Sequence, residues 1–216
     1  MQQPSCKILY DYWQSLRAGQ IVPRRMDLDP TRISAILPNT LLLERTDHDR
    51  LTIRLAGTRL CELFGRELRG HDFRRLWTAS DQRLLQHHIA LGAASGEGIE
   101  ISVQTQTSAA ASFMTELVLL PLTDNQNVIT RWVGAWDMDV AHHWSPGDHL
   151  TGFKICSCKA INDAFAAVPR TVDQRHAEAA PMFVLPAADR FVRQRHRYFR
   201  VYDGGLSTPD PAPDRH

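Results

Sequence analysis

The sequence predicts an α+β fold in which five antiparallel strands are covered on one face by helices. Residues 51–56 alternate apolar and polar side chains, the pattern of a half-buried strand. At Gly57 the apolar spacing becomes helical, and three more strand-like runs with short connections follow residue 98. Because an antiparallel sheet must bury its apolar face, we expect the helices between the second and third strands to cover it.

The composition is typical of a soluble globular protein and gives no reason to expect a strongly charged partner. The 216 residues include 25 basic and 24 acidic side chains, so the net charge of +1 favours neither nucleic acid nor an anionic membrane. No apolar run approaches the roughly 20 residues of a membrane span, and the first residues lack a signal-peptide core. Four irregularly spaced cysteines fit a reducing compartment. We therefore expect a cytoplasmic protein with free thiols.

The N-terminal segment, residues 1–38, is predicted to be helical. Within residues 5–18 an apolar stripe recurs at helical spacing, formed by Ile8, Leu9, Tyr12, Trp13 and Leu16. Gly19 is placed to end this amphipathic helix. The stripe has two possible partners, its own domain or a second copy of the chain, and we expect a homodimer through this helix. A second, short helix is predicted after Asp29, with Asp29 or Thr31 as its cap.

The main domain is predicted at residues 39–140, where strands and helices follow one another. Residues 40–46 and 51–56 are predicted to form a hairpin around the polar turn 47–49. Thr58 is expected to cap a short helix that Gly65 ends. A longer helix is predicted over 79–93, with Ser80 or Asp81 as its cap. The three further strands are predicted at 99–107, 112–122 and 128–138.

Beyond residue 140 the periodicity weakens. Residues 141–216 are predicted to be a C-terminal extension, with one possible strand near 151–157. The last residues are rich in proline, and we expect them to be disordered.

The order of these elements resembles the PAS fold, and more closely a bacterial family of stand-alone PAS-like proteins. The resemblance covers roughly residues 8–138. It rests on an ordered set of short motifs: Tyr12-Trp13, Leu16-Arg17, Pro23-Arg24-Arg25, Asp29-Pro30, Arg54-Leu55-Ala56-Gly57-Thr58, Leu63-Phe64-Gly65, Gly70 and Leu120-Pro121-Leu122. It implies a sensory, non-enzymatic module, often dimeric, that binds a small ligand or a protein partner and signals through protein contact.

A cavity between sheet and helices is the expected ligand site. Its candidate polar and aromatic residues are Arg54, Thr58, Trp77, His88, Glu116 and Trp136. The equal alternative is a cavity filled by side chains, as in PAS domains used only for docking.

The resemblance also raises haem and flavin as cofactors; the sequence leaves the cofactor unknown and favours neither group. His87 and His88 lie on the helix that supplies the iron ligand in haem-binding PAS proteins, yet a core histidine bonded to backbone explains His88 more simply. Flavin-binding photosensors carry a reactive cysteine in an asparagine-cysteine-arginine-phenylalanine-leucine context. Cys61 lies instead in RLCELF and is read as a small apolar residue.

Two further groups of reactive residue types were weighed as chemical sites. Cys156 and Cys158, with histidines nearby, have the residue types of a zinc site but lack the C-x-x-C spacing, so we predict no metal. A Cys61-His71-Asp72 group lacks an elbow motif around the cysteine and a distant residue to orient the histidine. We therefore predict no catalytic residues.

An arginine-rich run near the C-terminus supports an alternative function. Aromatic residues interleave with its five arginines, which are Arg190, Arg193, Arg195, Arg197 and Arg200. Such a run can bind a nucleic-acid backbone or an anionic nucleotide messenger. The plainer interpretation, which we favour, is a solvated strand face.

Overall fold

The computed structural model describes residues 1–47, 50–138 and 147–161 of the chain. Its α-helices are α1 (Pro4–Arg17), α2 (Thr58–Phe64) and α3 (Ala79–Ser95), and its 3₁₀ segments are Arg25–Asp27, Pro30–Asn39 and Phe73–Leu76. Its strands are β1 (Thr40–Asp47), β2 (Arg50–Ala56), β3 (Gly98–Thr107), β4 (Ser112–Thr123), β5 (Ile129–Asp137) and β6 (Leu150–Ile161). No helix in this described part is long and apolar enough to cross a membrane.

The strands form one antiparallel sheet in the order β2-β1-β5-β4-β3-β6. The predicted α+β class and antiparallel pairing are confirmed. The sheet has six strands instead of the predicted five, because β6 pairs with β3 along its whole length. β6 includes the predicted strand near 151–157 and belongs to the sequence segment that we assigned to the extension. The domain boundaries themselves stay predictions.

The helices between β2 and β3 cover one face of the sheet, as predicted. α2, the 3₁₀ segment Phe73–Leu76 and α3 contribute side chains to a single apolar cluster with the strands. From α3 the buried residues are Asp81, Leu85, Ile89 and Gly92. Among the apolar ones, Leu85 has no exposed surface.

The opposite face is also covered, which the prediction of one helical layer did not include. α1 and the segment Pro30–Asn39 pack there against β4 and β5. Leu9 and Trp13 are almost fully buried, and the Trp13 Nε1 donates a hydrogen bond of 2.8 Å to the Pro121 carbonyl oxygen. Most of the apolar stripe of α1 therefore packs on its own sheet, not on a second copy.

The turn from β2 into α2 depends on Gly57. The N-cap of α2 is Gly57 and not the predicted Thr58, and no side chain caps this helix. A Cβ atom at Gly57 would lie 2.2 Å from the Pro38 carbonyl oxygen, so only glycine fits this close approach. Gly65 ends α2 in the left-handed conformation at φ 63°, as predicted.

Asp29 and Thr78 each cap the helical segment that follows them. Asp29 caps the segment that follows it, since its side chain accepts a hydrogen bond from the Thr31 amide. α3 begins one residue after its cap, Thr78, whose hydroxyl accepts from the Asp81 amide. The predicted caps of α3, Ser80 and Asp81, were wrong because Asp81 is buried and accepts from the Ile155 amide of β6.

Candidate functional site

Aromatic rings fill the space between the helices and the sheet. The rings belong to Phe64, Phe73, Trp77, Trp136 and Phe153. Trp77 and Trp136 stack with centroids 5.5 Å apart and planes only 12° from parallel. Phe153 of β6 lies 5.2 Å from Trp136 and 5.0 Å from Phe64. The predicted alternative, a cavity filled by side chains, describes this interior.

The two stacked indoles differ in their hydrogen bonding. The Nε1 of Trp136 donates to the Thr115 hydroxyl at 3.0 Å, and that hydroxyl lies 2.9 Å from the Thr105 hydroxyl. Trp77 is equally buried, yet its Nε1 has no partner among the described residues. The hydroxyl of Thr107, at the end of β3, is likewise buried without a partner in this part of the chain. A buried donor without an acceptor is unfavourable, so the Trp77 indole N–H is a weak point of this interior.

Of the six predicted pocket residues, the structure brings Trp77 and Trp136 together. Thr58 is exposed in the first turn of α2. His88 is half-buried at the edge of the α3 face that packs on the sheet. Burial lowers the pKa of His88, and the neighbouring His87 lowers it further. Neither Thr58 nor His88 joins the aromatic cluster.

Arg54 and Glu116 lie on the other face of the sheet. Arg54 forms an ion pair with Glu44, which also accepts a hydrogen bond of 2.6 Å from Arg131. Burial alone would raise the pKa of Glu44, but the hydrogen bonds and charges of the two arginines outweigh it and lower that pKa. Glu116 accepts a hydrogen bond of 2.8 Å from the Gln2 amide, beside the start of α1.

The residues considered for catalysis have other partners. The Cys61 thiol lies 3.7 Å from the Glu67 carboxylate, and burial raises its pKa. Asp72 caps the segment that follows it and forms an ion pair of 3.0 Å with Arg74. The Asp72 carboxylate therefore already has the Leu51 amide and Arg74 as partners.

The two cysteines of β6 lie in different surroundings. Cys156 is exposed, whereas Cys158 packs against the apolar cluster and has a pKa raised to about 12 by burial. A β-bulge between the pairs Ser102–Ser157 and Val103–Ile155 explains the difference, because it breaks the regular alternation that the sequence suggested.

The packed rings also bear on haem and flavin. Either group would have to displace several of the five rings to enter the space between α3 and the sheet, since Trp77, Trp136 and Phe73 are almost fully buried. The residues present therefore do not fit a large planar cofactor in this interior. The five predicted anion-binding arginines, Arg190 to Arg200, lie outside the described residues.

A surface cleft that the sequence did not reveal lies beside α3. It has a volume of about 270 Å³ and is lined by Arg45, Arg50, Leu51, Arg74, Leu85, Gln86, Ile89 and Ala90. These residues come from β1, β2, the segment Phe73–Leu76 and α3. No motif links them, because only the folding of the hairpin against α3 brings the three arginines together.

A known protein family matches more than half of this chain. The family described as "PAS domain" matches residues 1–136, from before α1 to within β5. No curated protein matches the chain.

Solved structures with a similar fold include three that concern light-oxygen-voltage (LOV) domains. One is titled "Flavin Analogue Sheds Light on Light-Oxygen-Voltage Domain Mechanism", with 16% identity, a TM-score of 0.40, and coverage of 50% of this chain and 81% of that chain. The dark structure of the blue-light photoreceptor Aureochrome1 LOV has 17% identity, a TM-score of 0.38, and coverage of 49% and 78%. A LOV protein of Rhodobacter sphaeroides has 13% identity, a TM-score of 0.39, and coverage of 54% and 71%.

Proposed function

Since this chain belongs to the PAS domain family, we propose that it is a regulatory protein that passes its signal to a protein partner by direct contact. PAS domains are generally sensory and not catalytic. The observation that supports this proposal best is the aromatic packing between the helices and the sheet. An interior occupied by its own side chains acts as a rigid scaffold, so the recognition surfaces lie outside it.

The protein works without a resident haem or flavin. His88 lies at the edge of α3 and outside the ring cluster, so it is not placed to ligate an iron held between α3 and the sheet. The Cys61 thiol contacts a carboxylate, which disfavours the thiolate form. Both observations support a regulatory protein that needs no chromophore.

Native mass spectrometry and a visible absorption spectrum of the purified full chain test the absence of a resident cofactor. The expected mass is that of the bare polypeptide, and the expected spectrum shows only aromatic absorption in the ultraviolet. Added haemin gives a matched comparison, in which His88→Ala and His87→Ala should change any haem absorption band equally. A stoichiometric chromophore, or a band lost only with His88→Ala, would contradict the proposal.

The protein contact needs a separate test. Affinity capture from cells of the source organism identifies candidate partners, and each is then purified and titrated against the full chain by calorimetry. Saturable binding at a fixed stoichiometry is expected for at least one of them. If no captured protein binds saturably, signalling by direct contact is wrong.

We also propose that the protein is cytoplasmic and forms a homodimer through α1. Homodimer formation through α1 would have to use its outer side, where Ile8 is exposed, because Leu9 and Trp13 pack on the sheet. Sedimentation of the wild type and of Ile8→Lys distinguishes the cases. A dimer that dissociates in this variant supports the α1 interface, and a monomer at all concentrations contradicts it.

A further inference from the structure

Three arginines from separate elements surround the cleft beside α3. Arg45 lies near the C-terminal end of β1, Arg50 is the first residue of β2, and Arg74 lies in the 3₁₀ segment Phe73–Leu76. Arg74 is held in place by Asp72, with Nη2 at 3.0 Å and Nε at 3.3 Å from the carboxylate oxygens. The Arg50 Nη2 donates to the Gly70 carbonyl oxygen at 3.4 Å. Protein acceptors therefore fix the positions of two of the three guanidinium groups.

The described side chains that line the cleft carry an excess of positive charge. Asp72 balances the charge of Arg74. Within the described residues, neither Arg45 nor Arg50 forms an ion pair, and the lining includes no acidic side chain. Guanidinium groups bind carboxylates and phosphates through paired hydrogen bonds, which are stronger when the ligand is charged. This arrangement fits an anion.

The remaining wall of the cleft is apolar. Leu51 and Ile89 stand behind the arginines with little exposed surface, the fully buried Leu85 lies beneath them, and the exposed Ala90 leaves space at the α3 side. A volume of about 270 Å³ equals that of about nine water molecules in the liquid. A ligand with both a charged head and a short apolar body matches this combination of charge, lining and size.

We propose that the arginine cleft binds a small organic anion, meaning a carboxylate or phosphate group attached to a short apolar or aromatic body. A regulatory role for this cleft rests on the proposed function. Binding of the anion to the cleft is measured separately. The ligand lies between α3 and the β1–β2 hairpin, in a cleft whose lining does not include Trp77 or Trp136. Ligand binding and a packed interior are then compatible in one domain.

Titrations of the full chain with matched probes test the site by NMR chemical shifts. The probes are benzoate and phenyl phosphate as aromatic anions, benzamide as a neutral analogue, and inorganic phosphate as an anion without a body. We expect one-to-one binding of at least one aromatic anion, with benzamide and inorganic phosphate binding at least tenfold more weakly. The two aromatic anions distinguish a carboxylate from a phosphate ligand.

Variants test whether the binding occurs in this cleft. Arg45→Gln and Arg50→Gln should each weaken binding about tenfold, because each removes a charge-assisted hydrogen bond. Arg83→Gln is the matched control, since Arg83 is an exposed arginine of α3 outside the cleft lining. Ala90→Trp should abolish binding by filling the cleft while leaving every arginine in place.

Four results would overturn this proposal. The first two are no binding of either aromatic anion at 10 mM (roughly the weakest affinity of interest for a metabolite) and equal affinity for benzamide. The other two are an equal loss of affinity in Arg83→Gln and full binding by Ala90→Trp, which would move the site elsewhere. None of these results bears on whether a chromophore or a protein partner binds, so failure here is distinguishable from failure of the regulatory role.

Discussion

The stacked indoles of Trp77 and Trp136 allow one substitution to be compared at two neighbouring sites. Phenylalanine at either position removes part of an almost fully buried ring, which should lower the free energy of unfolding by about 1–2 kcal/mol. Trp136→Phe also removes the hydrogen bond to Thr115, a further loss of about 1 kcal/mol. Trp77→Phe instead removes a buried donor without a partner, whose presence costs about 1–3 kcal/mol.

The common cost of truncating the ring cancels, so the two variants should differ in stability by about 2–4 kcal/mol, with Trp136→Phe the less stable and Trp77→Phe close to the wild type. For a chain of this size, that difference corresponds to a difference in Tm of about 4–16 °C. Urea and thermal unfolding followed by far-UV circular dichroism measure it without relying on tryptophan fluorescence. Equal destabilisation, or a lower Tm for Trp77→Phe, would refute the contrast between the two indole N–H groups.

Three other predictions concern the turn, the outer face and the thiols. Gly57→Ala should destabilise the fold by more than about 2 kcal/mol in urea unfolding, because a Cβ at this position has no room. The control Gly152→Ala should be nearly neutral, since its Cβ meets only the flexible side chain of Gln106. Equal destabilisation by the two variants would contradict this prediction. Glu44→Gln should cost about 0.5–1 kcal/mol at pH 7, since this ion pair is partly exposed. Because the pKa of Glu44 is lowered by folding, the gap to the wild type should close as the pH falls below the unfolded-state value of about 4.3, and a constant gap down to pH 3 would argue against the ion pair. Cys156 should react first with a disulfide reagent and Cys6 only on unfolding, since burial raises the pKa of the Cys6 thiol; a fast phase that survives Cys156→Ser would contradict this.

The local patterns of the sequence predicted most of the elements. Alternation identified the strands, and the short connections required antiparallel pairing, because both signals depend only on neighbouring residues. The second helical layer was missed because the stripe of α1 has the same appearance whether it packs on its own sheet or on another chain. Periodicity reports that a face is buried, not what buries it.

The candidate site was harder to predict because it depends on contacts between distant segments. Trp77 and Trp136 were expected near one another, and they are stacked. Arg54 was expected at the cavity, but Ile53 beside it faces the helices, so strand alternation places Arg54 on the other face, where its guanidinium meets Glu44. The arginine cleft had no local signal at all, since Arg45 and Arg74 are brought together only in the folded chain.

β4 connects the two halves of the molecule. Leu117 and Leu119 point into the aromatic side, whereas Val118 and Leu120 point toward α1, and all four lack exposed surface. Because close-packed side chains cover both faces of β4, a displacement of the strand on one face changes the packing on the other. A movement of β4 beneath α3 is therefore transmitted directly to α1, which packs on the opposite face of the same strand.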